Sequence, residues 1–339
     1  MKKIDECSYE ELLKHKKTNQ IAATTLTSIL SFLVIALKNP FIMPSIWFVL
    51  NSYDSTKKRI EKTMAETDED VKLLYDIYKE ILENTSKTIS SLDASNPLDI
   101  YSYFCSMFNY GCFSYDLNTN HPLDMSVLKS STFGETLMLN GHGVCRHLAV
   151  FLQRLYTKLG YESDTAVGHS NKIDLNELSD YVEFCKKQTS LTSEEIKKIL
   201  ITEHLNPGRF ASKNYKRQQK FSNHVITRVN CDGTTLITDP MNSCIMCSVI
   251  EDIFYCPASE EGLVFVLDRD FSSKYNEFWG IQTIREYECP DPVQMLFSYF
   301  ASSIKAKQAN DVFEKFHKDN LPALEEAENL TQKVLQKKY

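Results

Sequence analysis

Apolar residues recur at three- and four-residue intervals through the first third of the chain, which predicts helices there. Val71, Leu74, Tyr75, Tyr78, Ile81 and Leu82 fall on one face of a helix expected over Glu66–Ile89, and a further helix is expected over Asn96–Tyr110 with Pro97 near its start. Upstream, Thr18–Leu37 carries no charge, and after Lys38-Asn39-Pro40 a second uncharged run extends from Phe41 to Tyr53. The first run is just long enough to span hydrocarbon but is rich in Thr and Ser, and the second is too short. A shallow or re-entrant helical hairpin is therefore expected rather than two full passes. Lys14, Lys16 and Lys17 precede it and Lys57, Lys58, Arg59 and Lys62 follow it. Insertion from one face leaves both clusters in the same compartment, expected to be the cytoplasm. No small-x-small cleavage site follows Leu37, so the run does not read as an export signal. A pair of apolar helices packed on the protein itself or on a second subunit gives the same pattern.

After the polar segment Leu117–Pro122, a loop, and an irregular approach over Gly134–Gly143, helical spacing returns in Cys145–Leu159, where Leu148, Leu152, Leu155 and Leu159 form one stripe. Gly160 is expected to end that helix. Thr165–Val167 reads as a short strand, and Asn171–Ser222 as a polar, mostly helical insertion whose basic segment Arg209–Lys220 reads as a solvated run, with a site for an acidic partner as the alternative. His224–Asn230 alternates apolar and polar positions, Asp232-Gly233 follows, and Thr234–Thr238 resumes the alternation, which together predict a hairpin. Leu263–Leu267 and Ile281–Tyr287 are further strand candidates. Val293–Lys305 and Asp311–Lys338 read as C-terminal helices, the second with a break near Pro322.

Helices followed by antiparallel strands define an α+β chain. Its expected divisions are an apolar helical hairpin over 1–60, a catalytic domain over 61–290 with the insertion 171–222, and a helical extension over 291–339. With 339 residues, 42% of them apolar, there is enough apolar surface for a sizeable core. A formal charge of -7 removes the electrostatic case for a nucleic-acid partner. The ten cysteines have no export signal beside them and are expected to be reduced thiols. The chain has only 10 glycines, and five of them fall between Gly134 and Gly168, where backbone geometry rather than composition must require them.

Three residues then become related. Cys145 follows Gly141-His142-Gly143-Val144 at a helix start, His224 opens a strand, and Asp239 closes its hairpin partner. With Asp232 and Gly233 as the two central turn residues, paired positions sum to 465, so Ile226 faces Asp239. His224 and Asp239 are then diagonal neighbours on one face, within hydrogen-bonding reach. A thiol at a helix N-terminus sees the positive end of the helix dipole, and an imidazole held by a carboxylate lowers its pKa further. That is a Cys/His/Asp nucleophilic triad.

The string Gly141-His142-Gly143-Val144-Cys145-Arg146-His147-Leu148-Ala149, running on to Leu159-Gly160-Tyr161, resembles the nucleophile helix of the transglutaminase-like superfamily. Asn223-His224-Val225 and Thr238-Asp239-Pro240 are similar to its His-strand and Asp-Pro motifs, and Phe108-Asn109-Tyr110 with Ser114-Tyr115-Asp116 to the end of its preceding helix. The resemblance covers about Pro97–Pro240. It implies a papain-like α+β core, with the nucleophile helix on an antiparallel sheet that carries His224 and Asp239. It also implies acyl chemistry at an amide of a protein or peptide substrate, without a cofactor.

Resolution of the thioester by water gives a protease, amidase or deamidase, and hydrolysis is the favoured expectation. Resolution by an amine gives a transglutaminase-type acyl transferase, and a catalytically inactive binding module is a further alternative. The Cys145 backbone N–H with help from Asn140 is the expected oxyanion donor, while Gly143 gives clearance and His142 lines the substrate side. A partner protein worked by the Thr18–Tyr53 hairpin is a reading of a different class. His142 and His147 do not converge with Cys145, and Cys244-x-x-Cys247 with Cys256 lacks a fourth ligand, so no metal is expected.

Overall fold

A computed structural model of the chain describes residues 3–38, 42–109, 145–172, 224–250, 252–256, 263–284 and 310–337. The expectations for Leu117–Pro122, Gly134–Gly143, 173–222 and Val293–Lys305 lie outside the described residues. Two compact units are present, comprising Met1–Lys79, Asn118–Asn140 and Ala323–Tyr339 in the first, and Glu80–Leu117 and Gly141–Pro322 in the second.

The first unit contains the expected hairpin. Helix α1 (Tyr9–Leu37) is capped by Ser8, whose hydroxyl accepts from the Glu11 N–H while the Glu11 carboxylate accepts from the Ser8 N–H. Lys38 in the left-handed region ends it, and α2 (Met43–Thr67) packs back against it. The Lys16–Glu61 ion pair and the Asn19 amide donating to the Tyr53 carbonyl fix the pairing of the two helices. Helix α1 is long and apolar enough to cross a membrane. The outer faces are bare, with Phe32 and Trp47 each 69% exposed and Ile35 75% exposed.

Helix α3 (Glu69–Ser90) starts where the Asp68 carboxylate accepts the Asp70 and Val71 N–H groups, and α4 (Pro97–Asn109) follows where Asn96 caps Leu98 and Asp99 in the same way. In the second unit the central helix α5 (Cys145–Lys158) leads into six strands: β1 (Ser163–Lys172), β2 (His224–Cys231), β3 (Thr234–Asp239), β4 (Cys244–Ile250), β5 (Ile253–Tyr255) and β6 (Leu263–Leu267). All neighbours pair antiparallel, and the order β1-β2-β3-β4-β5-β6 closes on itself as a barrel. Ala166, Ile226, Ile237, Met246, Phe254 and Phe265 are among the side chains that fill its core. Gly168 belongs to both ladders of β1, facing His224 of β2 and Leu267 of β6. A Cβ there would sit 2.1 Å from the Val266 carbonyl oxygen, so only glycine allows the two strands to meet.

Helix α6 (Arg269–Trp279) begins at the Asp268 cap and ends at Gly280 in the left-handed region. It covers the stretch of β1 that β6 leaves free: Thr165 N–H donates to Asn276 Oδ1, Val167 N–H donates to Ser272 Oγ, and Asn276 Nδ2 donates to the Thr165 carbonyl. An edge that would otherwise be an unpaired ladder is thereby saturated by side chains. Helix α7 (Asn310–Gln336) is the last element.

Two expectations are corrected. Residues 281–284 of the expected strand Ile281–Tyr287 are irregular, because the Ile281 N–H closes the end of α6 on the Asn276 carbonyl and the Ile284 N–H donates to Asp164. Helix α7 runs through Pro322 without a break. Pro322 and Lys318 lie on the exposed side, where water can serve the Lys318 carbonyl, while Phe316, Asn320, Ala323, Ala327, Thr331 and Val334 bury one continuous stripe. That burial, at about 25 cal/mol per Å² of apolar area, outweighs the local cost of proline.

Candidate active site

The Asp232-Gly233 turn has both central residues at positive φ, 52° and 84°, as a two-residue hairpin of type I′ requires. The ladder runs from Cys231↔Thr234 to Thr227↔Thr238, so the pairing sum of 465 holds. His224 and Asp239 consequently share a face, and His224 Nε2 lies 2.6 Å from Asp239 Oδ2. Both are buried, and the edge of the His224 ring meets Phe265 at 6.2 Å between centroids.

Asp239 is held on every side. Its Oδ1 accepts the Met241 and Asn242 N–H groups, its Oδ2 also accepts from the Asn242 amide, and its carbonyl accepts from the Tyr101 hydroxyl of α4. A carboxylate tied down in this way cannot rotate off the imidazole, so it fixes the ring's orientation.

Cys145 reaches the same ring from α5. With Nε2 committed to Asp239, Nδ1 is the ring nitrogen left to act on the thiol, and the His224 side chain and the Val225 backbone are the groups that favour its charged form. The Thr227 hydroxyl donating to the Ala149 carbonyl at 2.9 Å ties β2 to α5 one turn beyond Cys145, so helix and strand are held together there. Cys145 is 9% exposed, packed with Ala149, Val167 and Val225 and bordered by Met241 and Tyr275. Burial opposes the thiolate, but hydrogen bonding and charge from His224, the Val225 backbone bond and the charge of Arg146 outweigh it, so the thiol lies below its ordinary value. Burial likewise opposes the imidazolium, yet Asp239 by charge and hydrogen bond, then Cys145, raise His224 to about 10. The arrangement therefore favours a thiolate–imidazolium pair at neutral pH.

No family model, curated protein or solved structure matches the chain. The functional reading consequently rests on the geometry of these side chains.

Among the residues singled out from sequence, Cys145, His224 and Asp239 converge, whereas Asn140, His142 and Gly143 lie outside the described residues. His147 is fully buried, and burial first, then the charge of Arg146, lower it to about 3. It is a neutral core residue. The sequence reading missed Gly168, Phe265, Tyr101, Asn242, Arg146 and Tyr275. Asp268 and Gly280 bracket α6 as cap and terminator, and that signal would have revealed the helix carrying Tyr275.

Proposed function

We propose that this chain is a cysteine-nucleophile amide hydrolase built on a transglutaminase-like, papain-like core, with Cys145 as nucleophile, His224 as acid and base, and Asp239 as the group that orients His224. The observation that carries this reading is the buried His224–Asp239 pair at 2.6 Å, with the Cys145 thiol at the start of α5 near enough to His224 for each to favour the other's charged form. In the proposed reaction the Cys145 thiolate attacks the amide carbonyl carbon and a C–S bond forms. The oxyanion develops beside the N-terminus of α5, where free N–H groups and the helix dipole favour negative charge. The imidazolium gives its proton to the departing amine as the C–N bond breaks. Neutral His224 then takes a proton from water, which attacks the thioester. The C–S bond breaks, the carboxylic acid leaves, and the thiolate and imidazolium are restored. The same thioester passed to an amine gives transamidation, so the two outcomes share one site.

The decisive experiment is alkylation of the full chain with iodoacetamide near neutral pH, read by peptide mapping. Cys145 is expected to react at least about tenfold faster than the other thiols, with the advantage lost in His224→Ala. An ordinary rate at Cys145, unchanged in that variant, would overturn the proposal.

We further propose that the bare ends of α1 and α2 hold this protein at a membrane surface on its cytoplasmic side. The exposed Phe32, Ile35, Trp47 and Phe48 lie within the two charge-free runs, and both basic clusters lie beyond them at the opposite ends of the helices.

A further inference from the structure

Between β3 and β4 the chain turns through Pro240, Met241, Asn242 and Ser243, and this turn touches both ends of the proposed triad. Met241 packs against the Cys145 cluster, while the Asn242 side chain sits on Asp239. The turn is firmly mounted. Its base is the Asp239↔Cys244 rung of the β3–β4 ladder, and the buried Tyr101 hydroxyl lies 2.9 Å from the Asp239 carbonyl oxygen and 2.8 Å from that of Cys244. Ser243 closes it in the left-handed region, at φ 51°.

A carboxylate offers about four lone-pair positions, and at Asp239 each has a donor. Oδ1 accepts the Met241 N–H at 3.1 Å and the Asn242 N–H at 3.2 Å, while Oδ2 takes His224 Nε2 and Asn242 Nδ2, each at 2.6 Å. The amide oxygen of Asn242 could not stand there, because it would face another acceptor. Exposure separates the members of this set. Asp239 is 0% exposed and His224 5%, whereas Asn242 is an exposed residue. Asn242 is therefore the outermost group on the His224–Asp239 pair. Without its amide the second lone pair of Oδ2 lies open to water, and the carboxylate loses a bond that opposes its rotation. A charge-assisted bond is strong where water is kept out, and water that enters competes for it.

We infer that Asn242 is a positioning residue of the proposed reaction: its side-chain amide caps Asp239 Oδ2, holds that oxygen on His224 Nε2 and keeps water off the bond between them. The inference rests on Cys145 being the nucleophile and His224 its partner, and Asn242 acts through Asp239 rather than on the substrate.

Two variants of the full chain test it. Asn242→Ala removes the amide, and Asn242→Asp keeps its shape but, once ionised, cannot donate. Because position 242 is exposed, urea unfolding midpoints are expected to stay close to that of the wild type. Two other measurements report on the site. One is the rate of Cys145 alkylation by iodoacetamide across pH, and the other is the exchange with water of the His224 ring N–H proton, followed by NMR and assigned by its absence in His224→Ala.

In both variants alkylation near neutral pH is expected to slow by about fivefold or more, with its onset moved to higher pH because a loosened imidazolium supports the thiolate less. Exchange of the ring proton is expected to quicken by about tenfold or more. Fast labelling of the wild type, with both variants matching it in rate and in ring-proton exchange, overturns the positioning role and leaves the nucleophile in place. Slower labelling without faster exchange assigns Asn242 to the turn alone and equally overturns the role, as does a wild-type ring proton that already exchanges too fast to be seen. Ordinary labelling of Cys145 in the wild type overturns the nucleophile, and this inference with it.

Discussion

Gly168 stands directly opposite His224 in the β1–β2 ladder, and the same glycine brings β1 against Val266 and Phe265. A methyl group at position 168 would approach the Val266 carbonyl oxygen to 2.1 Å and the Phe265 ring to 2.7 Å. The second of these is the ring that meets His224. Gly168→Ala is therefore expected to lower stability by about 1–3 kcal/mol and to slow Cys145 alkylation as well. Urea unfolding and the iodoacetamide rate check this, and a stable variant with full thiol reactivity would show that the backbone at Gly168 does not set the ring.

The paired charges of Cys145 and His224 predict the pH course of turnover. Activity should rise with pH through the depressed Cys145 value, hold across neutral pH, and fall as His224 loses its proton near pH 10. Asp239 is the main support of the raised His224 value, so Asp239→Asn is expected to move the upper limb down by one or more pH units and to reduce kcat by about 10²–10⁴. A pH–rate profile of the variant matching that of the wild type would count against the orienting role.

His147 makes a separate prediction about stability. Its folded value of about 3 lies below its unfolded value near 6.5, so the unfolded chain binds the extra proton between those limits. The contribution is complete above pH 6.5 and is lost as pH falls toward 3. Replacing His147 by a similarly sized neutral residue, as in His147→Gln, should flatten the acid limb of a stability-versus-pH curve measured by urea titration, whatever it does to the absolute stability at pH 7.

For the hairpin, flotation with vesicles is the direct measurement. Wild-type protein is expected to float, and the double change Phe32→Ser with Trp47→Ser is expected to weaken flotation by at least about tenfold, since each change exposes a hydroxyl where an aromatic ring would meet lipid. Cys145 alkylation should be unaffected. A wild-type chain that stays with the soluble fraction but elutes as an oligomer would instead assign those faces to a second copy.

The first third of the fold was legible because each helix there has a long apolar period and most start at a side-chain cap such as Ser8, Asp68 or Asn96. The His224–Asp239 relation was legible for a different reason: a two-residue Asp-Gly turn leaves one register, and register alone determines which side chains share a face. Closure of the sheet was not. Strand β4 carries Cys244-x-x-Cys247, which drew attention to ligand chemistry instead of pairing, and β5 is only three residues long. The irregular course of residues 281–284 depends on Asp164, 120 positions upstream of Ile284, and no local pattern encodes such a contact.

Closure of the barrel has a consequence for how a polypeptide is held. Each of the six strands has a neighbour on both sides, and the stretch of β1 left by β6 is taken by Asn276 and Ser272. Among the described strands an extended substrate therefore finds only short unpaired stretches, such as Thr234–Leu236 on the β4 side of β3, and not a full edge to join by backbone addition, the means by which many peptide-binding proteins read a main chain in register. On the proposed reading, selection at Cys145 would then fall to side chains and to the start of α5, which suits an amide recognised by its own substituents rather than by the run of chain around it.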